Sequence, residues 1–359
     1  MTLLAIQFSK SIFLFLFMLF IGICLSLDLG VFSKEKHARP TVKESIFRTL
    51  IWATLGLLFT LVIWFFHHNL HNLTTMQDFL QYESKYGGDF LKLDLLATQR
   101  AFASQSVVQY ISGYFVEYSL SLDNLFVMML IFKSFKVNHI YEKEILFWGV
   151  IGAVVMRFVF IFIGGALIVQ FNWILYIFGA FLVYSGFKLL LNKENQDDTL
   201  DTHNHPVVKF ASKIFRISKE PAHGKFFLRT NGKLYVTSLF IVLLVIEFSD
   251  VIFAVDSVPA IFGITHDPYL VFFSNIFAIL GLRSLYFLLG HGLHKFHTLQ
   301  IGLSIILIYI GAKMLAEHWL QEIGFTHIHN LIVLLGILAL SILFTFILPE
   351  KPTEESKSN

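Results

Sequence analysis

The sequence predicts an all-α polytopic membrane protein with about nine transmembrane helices. Hydrophobic residues make up 56% of its 359 positions. Charged residues make up only 14%, against roughly 25% in ordinary soluble domains. The apolar runs approach or exceed ~20 residues, which suits bilayer-crossing helices and is too long for barrel strands. A helix also satisfies its own backbone hydrogen bonds inside lipid. We therefore expect the chain to be embedded in a lipid bilayer.

Nine apolar runs mark the expected transmembrane helices, numbered here from one to nine in chain order. They cover residues 4–30, 47–66, 106–132, 145–170, 173–191, 235–262, 269–291, 299–317 and 328–348. The first run resembles a signal peptide but is long and has no small-residue cleavage site before Asp28. We interpret it as a retained helix.

These runs divide the chain into seven segments. They are an N-terminal two-helix segment (1–70), an extracytoplasmic connection with a short amphipathic helix (71–105), a first three-helix repeat (106–191), a cytoplasmic loop (192–234), a second three-helix repeat (235–318), a C-terminal helix (319–349) and a disordered tail (350–359).

The distribution of Lys and Arg predicts the orientation in the membrane. Basic residues concentrate in the loops after helices one, three, five and seven and in the tail, whereas the alternate loops offer only Lys85, Lys92 and Arg100. By the positive-inside rule the N-terminus lies outside and the C-terminus is cytoplasmic, in the cell inner membrane. The formal net charge of +2 gives no indication of a nucleic-acid partner, and none is predicted.

Two of the predicted helices carry acids near their centres. Helix six contains Glu247, Asp250 and Asp256, and helix three contains Glu117 and Asp123. Each ionised carboxylate there costs at least ~2.5 kcal/mol by insertion scales, so a compensating partner is expected. Glu117 precedes Asp123 by the interval that separates Asp250 from Asp256. A small polar residue follows Asp123 and Asp256, namely Asn124 and Ser257.

Further matches indicate an internal repeat of three helices, helices 3–5 and 6–8. The matched residues, in the same order in both halves, are Arg157/Arg283, Gly164/Gly290, Tyr184/Tyr309, Gly186/Gly311 and Lys188/Lys313. Because each repeat has an odd number of helices, the second copy enters the membrane from the opposite side. Inverted repeats are typical of secondary transporters, whose sites lie at the repeat interface. The alternative is a duplication retained for packing alone.

The acids outnumber the central cations, Arg157 and Arg283. Salt bridges can neutralise two of the acids; the others must be protonated or bind a cation. Carboxylates with Asn124, Ser257 and Asn275 offer oxygen ligands, which suit Mn²⁺, Ca²⁺ and Mg²⁺. On a straight helix Asp256 lies away from the face of Glu247 and Asp250. Either helix six is therefore broken near Asp256, as Pro259 favours, or the acids serve different interfaces.

Other chemistry has weaker signals. The single cysteine, Cys24, excludes an intrachain disulfide and a cysteine-based zinc site. The histidines that occur in groups are interpreted as ordinary interfacial or loop residues, with weak peripheral metal contacts as the alternative; these grouped residues are His67, His68, His71, His203, His205, His291, His294, His297, His327 and His329. No nucleotide-binding, metalloprotease or serine-hydrolase motif is present, so neither an enzyme nor a permanently bound cofactor is predicted.

The acidic helices also carry a family resemblance. EYSLSLDNLFV from Glu117 and EFSDVIFAVDSVPAIFGIT from Glu247 resemble signature segments of the TerC family of membrane proteins. The segments FNWILYIFGAFLVYSGFKLL and DPYLVFFSNIFAILGLRSLYFLL match that family too, and the resemblance covers residues 1–348. The resemblance implies Mn²⁺ efflux. It also implies that the following residues occupy the positions of the family's intramembrane acids: Asp28, Glu117, Asp123, Glu247, Asp250 and Asp256.

The resulting hypothesis is a divalent cation exporter, with Mn²⁺ as substrate and protons as the exchanged ion. The predicted metal ligands lie between helices three and six: Glu117, Asp123, Asn124, Glu247, Asp250, Asp256 and Ser257. The accessory or proton-path residues are Asp28, Arg157, Asn275 and Arg283. The alternative hypothesis, linked to the family's tellurium resistance, is a membrane scaffold that recruits cytoplasmic stress-resistance proteins through the loop 192–233 without transport of its own.

Overall fold

The computed structural model describes residues 10–28, 41–87, 94–171, 173–191, 206–218, 224–230, 232–290 and 296–347. Within these ranges, the side chains at positions 28, 123, 296–300, 321, 342 and 345–347 are not described. The predicted tail 350–359 and His203, His205, His291 and His294 lie outside the described residues.

Helices dominate the described part of the chain, which also contains one antiparallel β-hairpin. In order they are α1 (Lys10–Asp28), α2 (Val42–Leu70), α3 (Met76–Tyr86), α4 (Leu95–Ser134), α5 (His139–Gln170), α6 (Ile174–Leu191), α7 (Pro206–Ile214), β1 (Phe227–Thr230), β2 (Lys233–Val236), α8 (Ser238–Phe262), α9 (Pro268–Leu280), α10 (Leu282–Leu289), α11 (Phe296–Leu315), α12 (Glu317–Glu322) and α13 (His327–Ile347).

Seven of the described segments are long and apolar enough to cross a membrane. They are α1, α2, α4, α5, α6, α8 and the pair α9–α10, which together form one span from Pro268 to Leu289. Two further apolar helices, α11 and α13, contain 20 and 21 residues. The all-α polytopic membrane fold predicted from the sequence is therefore confirmed.

Polar caps set where several helices begin. Thr41 and Glu44 form a capping box at the start of α2, and the Asp94 carboxylate accepts from the Ala97 N–H at the start of α4. The predicted amphipathic helix of the extracytoplasmic connection is α3, where Thr75 and Asp78 form the same kind of box. Hydrogen bonds from the backbone N–H groups of Thr75 and Thr74 lower the pKa of Asp78 to about 2, so this cap persists at ordinary pH.

The structure corrects two predicted helix shapes and decides between the alternatives for a third. The helix expected at 106–132 begins at Leu95, because the Asp94 cap allows helix to start well before the apolar run. The helix expected at 269–291 divides at Gly281 into α9 and α10. Of the two alternatives left open for Asp256, the broken helix is absent, since α8 is helical through Pro259 to Phe262. Pro259 removes only the hydrogen bond that its own N–H would have donated to the Val255 carbonyl.

Helix α9 lies at the centre of the molecule, and all thirteen of its residues are buried. Aromatic contacts join it to the N-terminal helices. The ring of Phe17 in α1 lies 4.6 Å from that of Phe273, and the ring of Phe59 in α2 lies 4.5 Å from that of Phe277. These rings enclose the side of α9 that faces α1 and α2.

The two predicted three-helix units contact each other reciprocally. Helix α4 packs on α9 while α8 packs on α5, and the third helices, α6 and α11, lie against each other. In that pair Gly186 meets the backbone of Ser304, and Gly311 meets the backbone of Gly179. Gly186 and Gly311 are equivalent in the predicted repeat, and the same offset relates Gly179 to Ser304. Antiparallel helices related by the repeat would give this pattern; the repeat itself stays a prediction.

Candidate cation sites

Arg157 of α5 links four helices through its guanidinium. The group donates to the Glu117 carboxylate of α4 and to the amide oxygen of Asn275 in α9. Its Nη2 atom lies 4.0 Å from the Asp250 carboxylate of α8. Arg157 and Glu117 are fully buried, and Asp250 is 4% exposed. We refer to Arg157, Glu117, Asp250 and Asn275 as the arginine cluster.

The arginine cluster is incompletely satisfied. Ser121 donates to Glu117 over 3.1 Å, and the Asn275 amide donates to the Val271 carbonyl over 2.8 Å. Four buried atoms nevertheless have no hydrogen-bond partner: Glu117 Oε2, Asp250 Oδ2, Arg157 Nε and Arg157 Nη2. Two carboxylates also share one guanidinium. Buried polar atoms without partners are costly, so the arrangement is suited to accept a proton, water or a cation.

Glu247 and Arg283 extend the polar region beside this cluster. The Glu247 carboxylate lies directly against Gly152 of α5, where a side-chain carbon would overlap it. Arg283 of α10 and Asp250 line a small cavity of about 20 Å³. A cavity of that size can hold a single water molecule. Acids on one face of α8 therefore point toward α5 and α10.

Asp256 faces a different space, which we call the oxygen pocket. It has a volume of about 430 Å³ and lies between α4, α6, α8 and α11. Its polar lining residues are Asn124, Tyr184, Ser185, Lys188, Asp256 and Ser257. Ser185 donates to the Asp256 carboxylate over 3.2 Å, whereas the buried Ser257 hydroxyl has no protein partner. The pocket therefore presents one acid, several neutral oxygens and the Lys188 ammonium group together.

Five of the predicted metal ligands thus divide into two groups, and Glu247 lies beside the first of them, against Gly152. Glu117 and Asp250 belong to the arginine cluster with the predicted accessory residues Arg157 and Asn275. Asn124, Asp256 and Ser257 belong to the oxygen pocket. The structure follows the alternative in which the acids of α8 serve different interfaces. The side chains of Asp28 and Asp123 lie outside the description, so the complete ligand set stays a prediction.

Sequence reasoning missed a third polar group at one end of the bundle. It placed His67, His68 and His71 outside helix two, but α2 continues to Leu70 and buries His67. The Asp267 Oδ2 atom lies 2.8 Å from His67 Nε2 and 2.9 Å from His71 Nε2, and it accepts from Tyr82 over 2.9 Å. The spacing of His67 and His71 by one helical turn was a usable signal; nothing in the sequence connected them to Asp267.

Electrostatics fixes the charge of Asp267. Burial alone would raise the pKa of this carboxyl, but His71 and His67 outweigh burial and hold it well below the usual range. Burial, followed by the nearby Asp267 charge, raises the pKa of Tyr82 well above its usual value. Asp267 is therefore an anion that faces a neutral phenol and two imidazoles.

The fold and these sites define a polytopic helical membrane protein with charged side chains buried between its helices. The sequence model that describes the "Integral membrane protein TerC family" matches residues 102–353 of this chain. The chain therefore belongs to the TerC family of integral membrane proteins.

Curated relatives cover most of the chain. A protein of Escherichia coli strain K12, named "Putative membrane-bound redox modulator Alx", is 38% identical over 92% of this chain and 92% of its own length. An uncharacterized membrane protein of Rickettsia bellii is 35% identical over 88% of this chain and 92% of its own. One of Myxococcus xanthus is 35% identical over 83% and 81%. No solved structure matches this chain significantly.

Proposed function

We propose that this protein is a transporter that exports a divalent cation, with Mn²⁺ as its substrate, rather than an enzyme. The observation that carries the proposal is the oxygen pocket. An acid inside a helical bundle is functional by default, and Asp256 opens into a space large enough for a partly hydrated ion. The neutral oxygens of Asn124 and Ser257 line the same space, and oxygen ligands suit Mn²⁺.

The arginine cluster supplies the second part of the proposed mechanism. Arg157 holds Glu117 and Asp250 without neutralising both, so the cluster can gain or lose a proton or cation as the helices move. Helices α4 and α8 each contribute a residue to the cluster and a residue to the pocket. Movement of one helix unit against the other would thus change both sites together, which is what alternating access with proton exchange requires.

The test is Mn²⁺ flux in vesicles reconstituted with purified protein. Asp256→Asn should abolish most flux, and Asp123→Asn should reduce it if that acid shares the pocket. Glu322→Gln is the matched control, because it makes the same acid-to-amide change at an exposed position of α12. Wild-type flux in folded Asp256→Asn protein would refute the proposal. Parallel assays with Ca²⁺, Mg²⁺ and Zn²⁺ would define the selectivity.

A membrane scaffold is the second candidate function. Helix α7 packs on α8 through the buried Ala211, yet it leaves Phe210 66% exposed and Ile214 58% exposed. In the predicted orientation this face meets the cytoplasm or the membrane surface, where a stress-resistance protein could bind. The double substitution Phe210→Ser and Ile214→Ser separates the two functions. A scaffold should lose stress protection, whereas a transporter should keep its vesicle flux.

The name of the Escherichia coli relative points to redox modulation. The cysteine content of this chain limits how a redox effect could operate here. Cys24 is the only cysteine of this chain, and it is buried in α1. A disulfide switch within the chain is excluded. We propose that any redox effect follows from the cation that is moved.

A further inference from the structure

The third polar group lies at the end of the bundle where α2 ends and α9 begins. His67 and His71 project from successive turns of α2, and Asp267 is the N-cap residue of α9. One potential ligand atom from each of the three residues can be chosen so that all lie within 4.8 Å of one another. Among the described residues, these three are the group of His, Cys, Asp or Glu side chains whose potential ligand atoms lie this close together.

The two ring nitrogens of His67 have different partners. The Ser106 hydroxyl lies 2.8 Å from the Phe102 carbonyl, to which it can donate. The His67 Nδ1 atom lies 2.8 Å from the same hydroxyl oxygen, and in the tautomer protonated at Nδ1 the ring donates to Ser106. In a neutral imidazole, Nε2 then carries a lone pair, and that lone pair faces the Asp267 carboxylate over 2.8 Å.

The tautomer protonated at Nε2 would donate to Asp267 directly, whereas the tautomer protonated at Nδ1 leaves two facing lone pairs, which require a positive charge between them. A second proton on His67 would supply it, but it would place an imidazolium on a side chain with no exposed surface. A metal ion would supply it equally well. A metal-bound histidine usually donates its other ring N–H to an oxygen acceptor, and the Ser106 hydroxyl oxygen lies 2.8 Å from His67 Nδ1, in position to accept that bond.

The surroundings hold the potential ligands in place. The ring of Phe102 stacks on His67 with centroids 5.0 Å apart. Asp267 accepts from the Tyr269 N–H through Oδ1 and from the Tyr82 hydroxyl through Oδ2, so both of its oxygens are oriented. The His71 side chain is 9% exposed and offers a route for an ion. These contacts are the kind of supporting shell that tunes a metal site.

We propose that His67 Nε2, His71 Nε2 and Asp267 Oδ2 bind a divalent transition-metal ion of the zinc type, at a site separate from the oxygen pocket. Two imidazoles and one carboxylate suit such an ion, whereas Mg²⁺ and Ca²⁺ prefer oxygen ligands alone. Metal–ligand bonds of about 2.0–2.2 Å in a tetrahedral site would move the ligand atoms roughly half an ångström further apart than their hydrogen-bonded separations. In the predicted orientation the site faces the outside of the cell.

Zn²⁺ binding to the purified full-length protein tests this proposal. The measurement is made in an Asp256→Asn background with excess Mg²⁺, so that ions bound in the oxygen pocket do not contribute. The probe is Zn²⁺ itself, followed by its competition with Co²⁺, whose visible absorption reports coordination. His71→Asn removes one ligand, and His68→Asn makes the same change at the neighbouring position of α2 as the control. Thermal unfolding verifies that each variant is folded.

We expect one Zn²⁺ per chain in the background protein and in the His68→Asn control. His71→Asn should weaken the affinity by more than the ~10–100-fold that is typical of changes around the ligands. Equal affinity in folded His71→Asn protein, or no Zn²⁺ bound above the level of detergent alone, would refute the site and leave a hydrogen-bonded group of two histidines and a carboxylate.

A second measurement needs no substitution in the cluster. Cu²⁺ bound to the Asp256→Asn protein should show magnetic coupling to imidazole nitrogens, and absence of nitrogen coupling would contradict the proposal. Because both tests are made without Asp256, their outcome is independent of whether the oxygen pocket transports Mn²⁺.

Discussion

The guanidinium of Arg157 donates to the carboxylate of Glu117 across the interface of α5 and α4, and neither side chain has exposed surface. The same guanidinium lies 4.0 Å from the Asp250 carboxylate. One positive charge is thus shared by two buried acids from the predicted repeats. The pair stabilises the bundle as long as both partners are present. Among the residues of the arginine cluster, we therefore expect the loss of Arg157 to lower the free energy of unfolding most.

We predict that Arg157→Gln destabilises the protein by about 3–5 kcal/mol, the usual cost of breaking a buried ion pair by removal of one partner. Glu117 and Asp250 would then lie in the bundle without the guanidinium that they share. Thermal unfolding in detergent should show a large loss of stability. Adding Glu117→Gln to Arg157→Gln should recover part of it, because one of the two uncompensated charges is removed.

Arg229→Gln is the control for this experiment, since Arg229 is exposed on β1. Its unfolding temperature should match that of the wild type. A double variant no more stable than Arg157→Gln alone would show that the ion pair does not determine the stability of the cluster.

The position of Glu247 leads to a second prediction. A methyl group at Gly152 would overlap the Glu247 carboxylate, which is the mobile end of a flexible side chain. Gly152→Ala should therefore displace that carboxylate at little cost in stability, and Mn²⁺ flux should fall several-fold if Glu247 carries protons or cations. Gly149→Ala is the matched control on the same helix, because its methyl group would meet Ile246 only at 3.5 Å. Equal flux in the two variants would remove Glu247 from the transport path.

Ser257 gives a third prediction, which separates binding from stability. Its hydroxyl is buried without a protein partner, so Ser257→Ala should leave the unfolding temperature unchanged or raise it slightly. If the hydroxyl is a ligand, the Mn²⁺ concentration for half-maximal flux should increase several-fold. Ser119→Ala provides the comparison, since the Ser119 hydroxyl is bonded within α4 to the Phe115 carbonyl. An unchanged half-maximal concentration would mean that Ser257 does not contact the ion.

The sequence was sufficient for the fold class because lipid imposes a simple rule on apolar runs. It also identified Arg157 and Asn275 as accessory residues beside the acids. Helix periodicity indicated that Asp256 lies away from Asp250, and the structure places these two acids at different interfaces. Local patterns carry this kind of information because the geometry of a helix is fixed.

Other features depended on tertiary contacts that no local pattern encodes. Pro259 favoured a break, but α8 continues through it to Phe262. His67 reads as a loop residue beside His68, yet its position opposite Asp267 requires the junction of α8 and α9 to lie beside α2. Arg157 meets Asn275 for the same reason, through the packing of α5 on α9. Such pairings are set by how the helices assemble.

The crossing of α6 and α11 gives a final prediction about how the two helix units are held together. A side-chain carbon at Gly311 would lie 2.6 Å from the Gly179 carbonyl oxygen and 2.8 Å from the Val183 nitrogen, and backbone atoms cannot yield as a flexible side chain can. Gly311→Val should therefore push the helices apart and destabilise the protein by at least the ~1–3 kcal/mol typical of overpacking. Gly336→Val in α13 is the control, because a carbon added there meets nothing within 4 Å. Thermal unfolding in detergent compares the two variants, and equal unfolding temperatures would show that α6 and α11 do not pack through these glycines. If α11 moves against α6 during transport, Gly311→Val should also reduce Mn²⁺ flux per folded molecule.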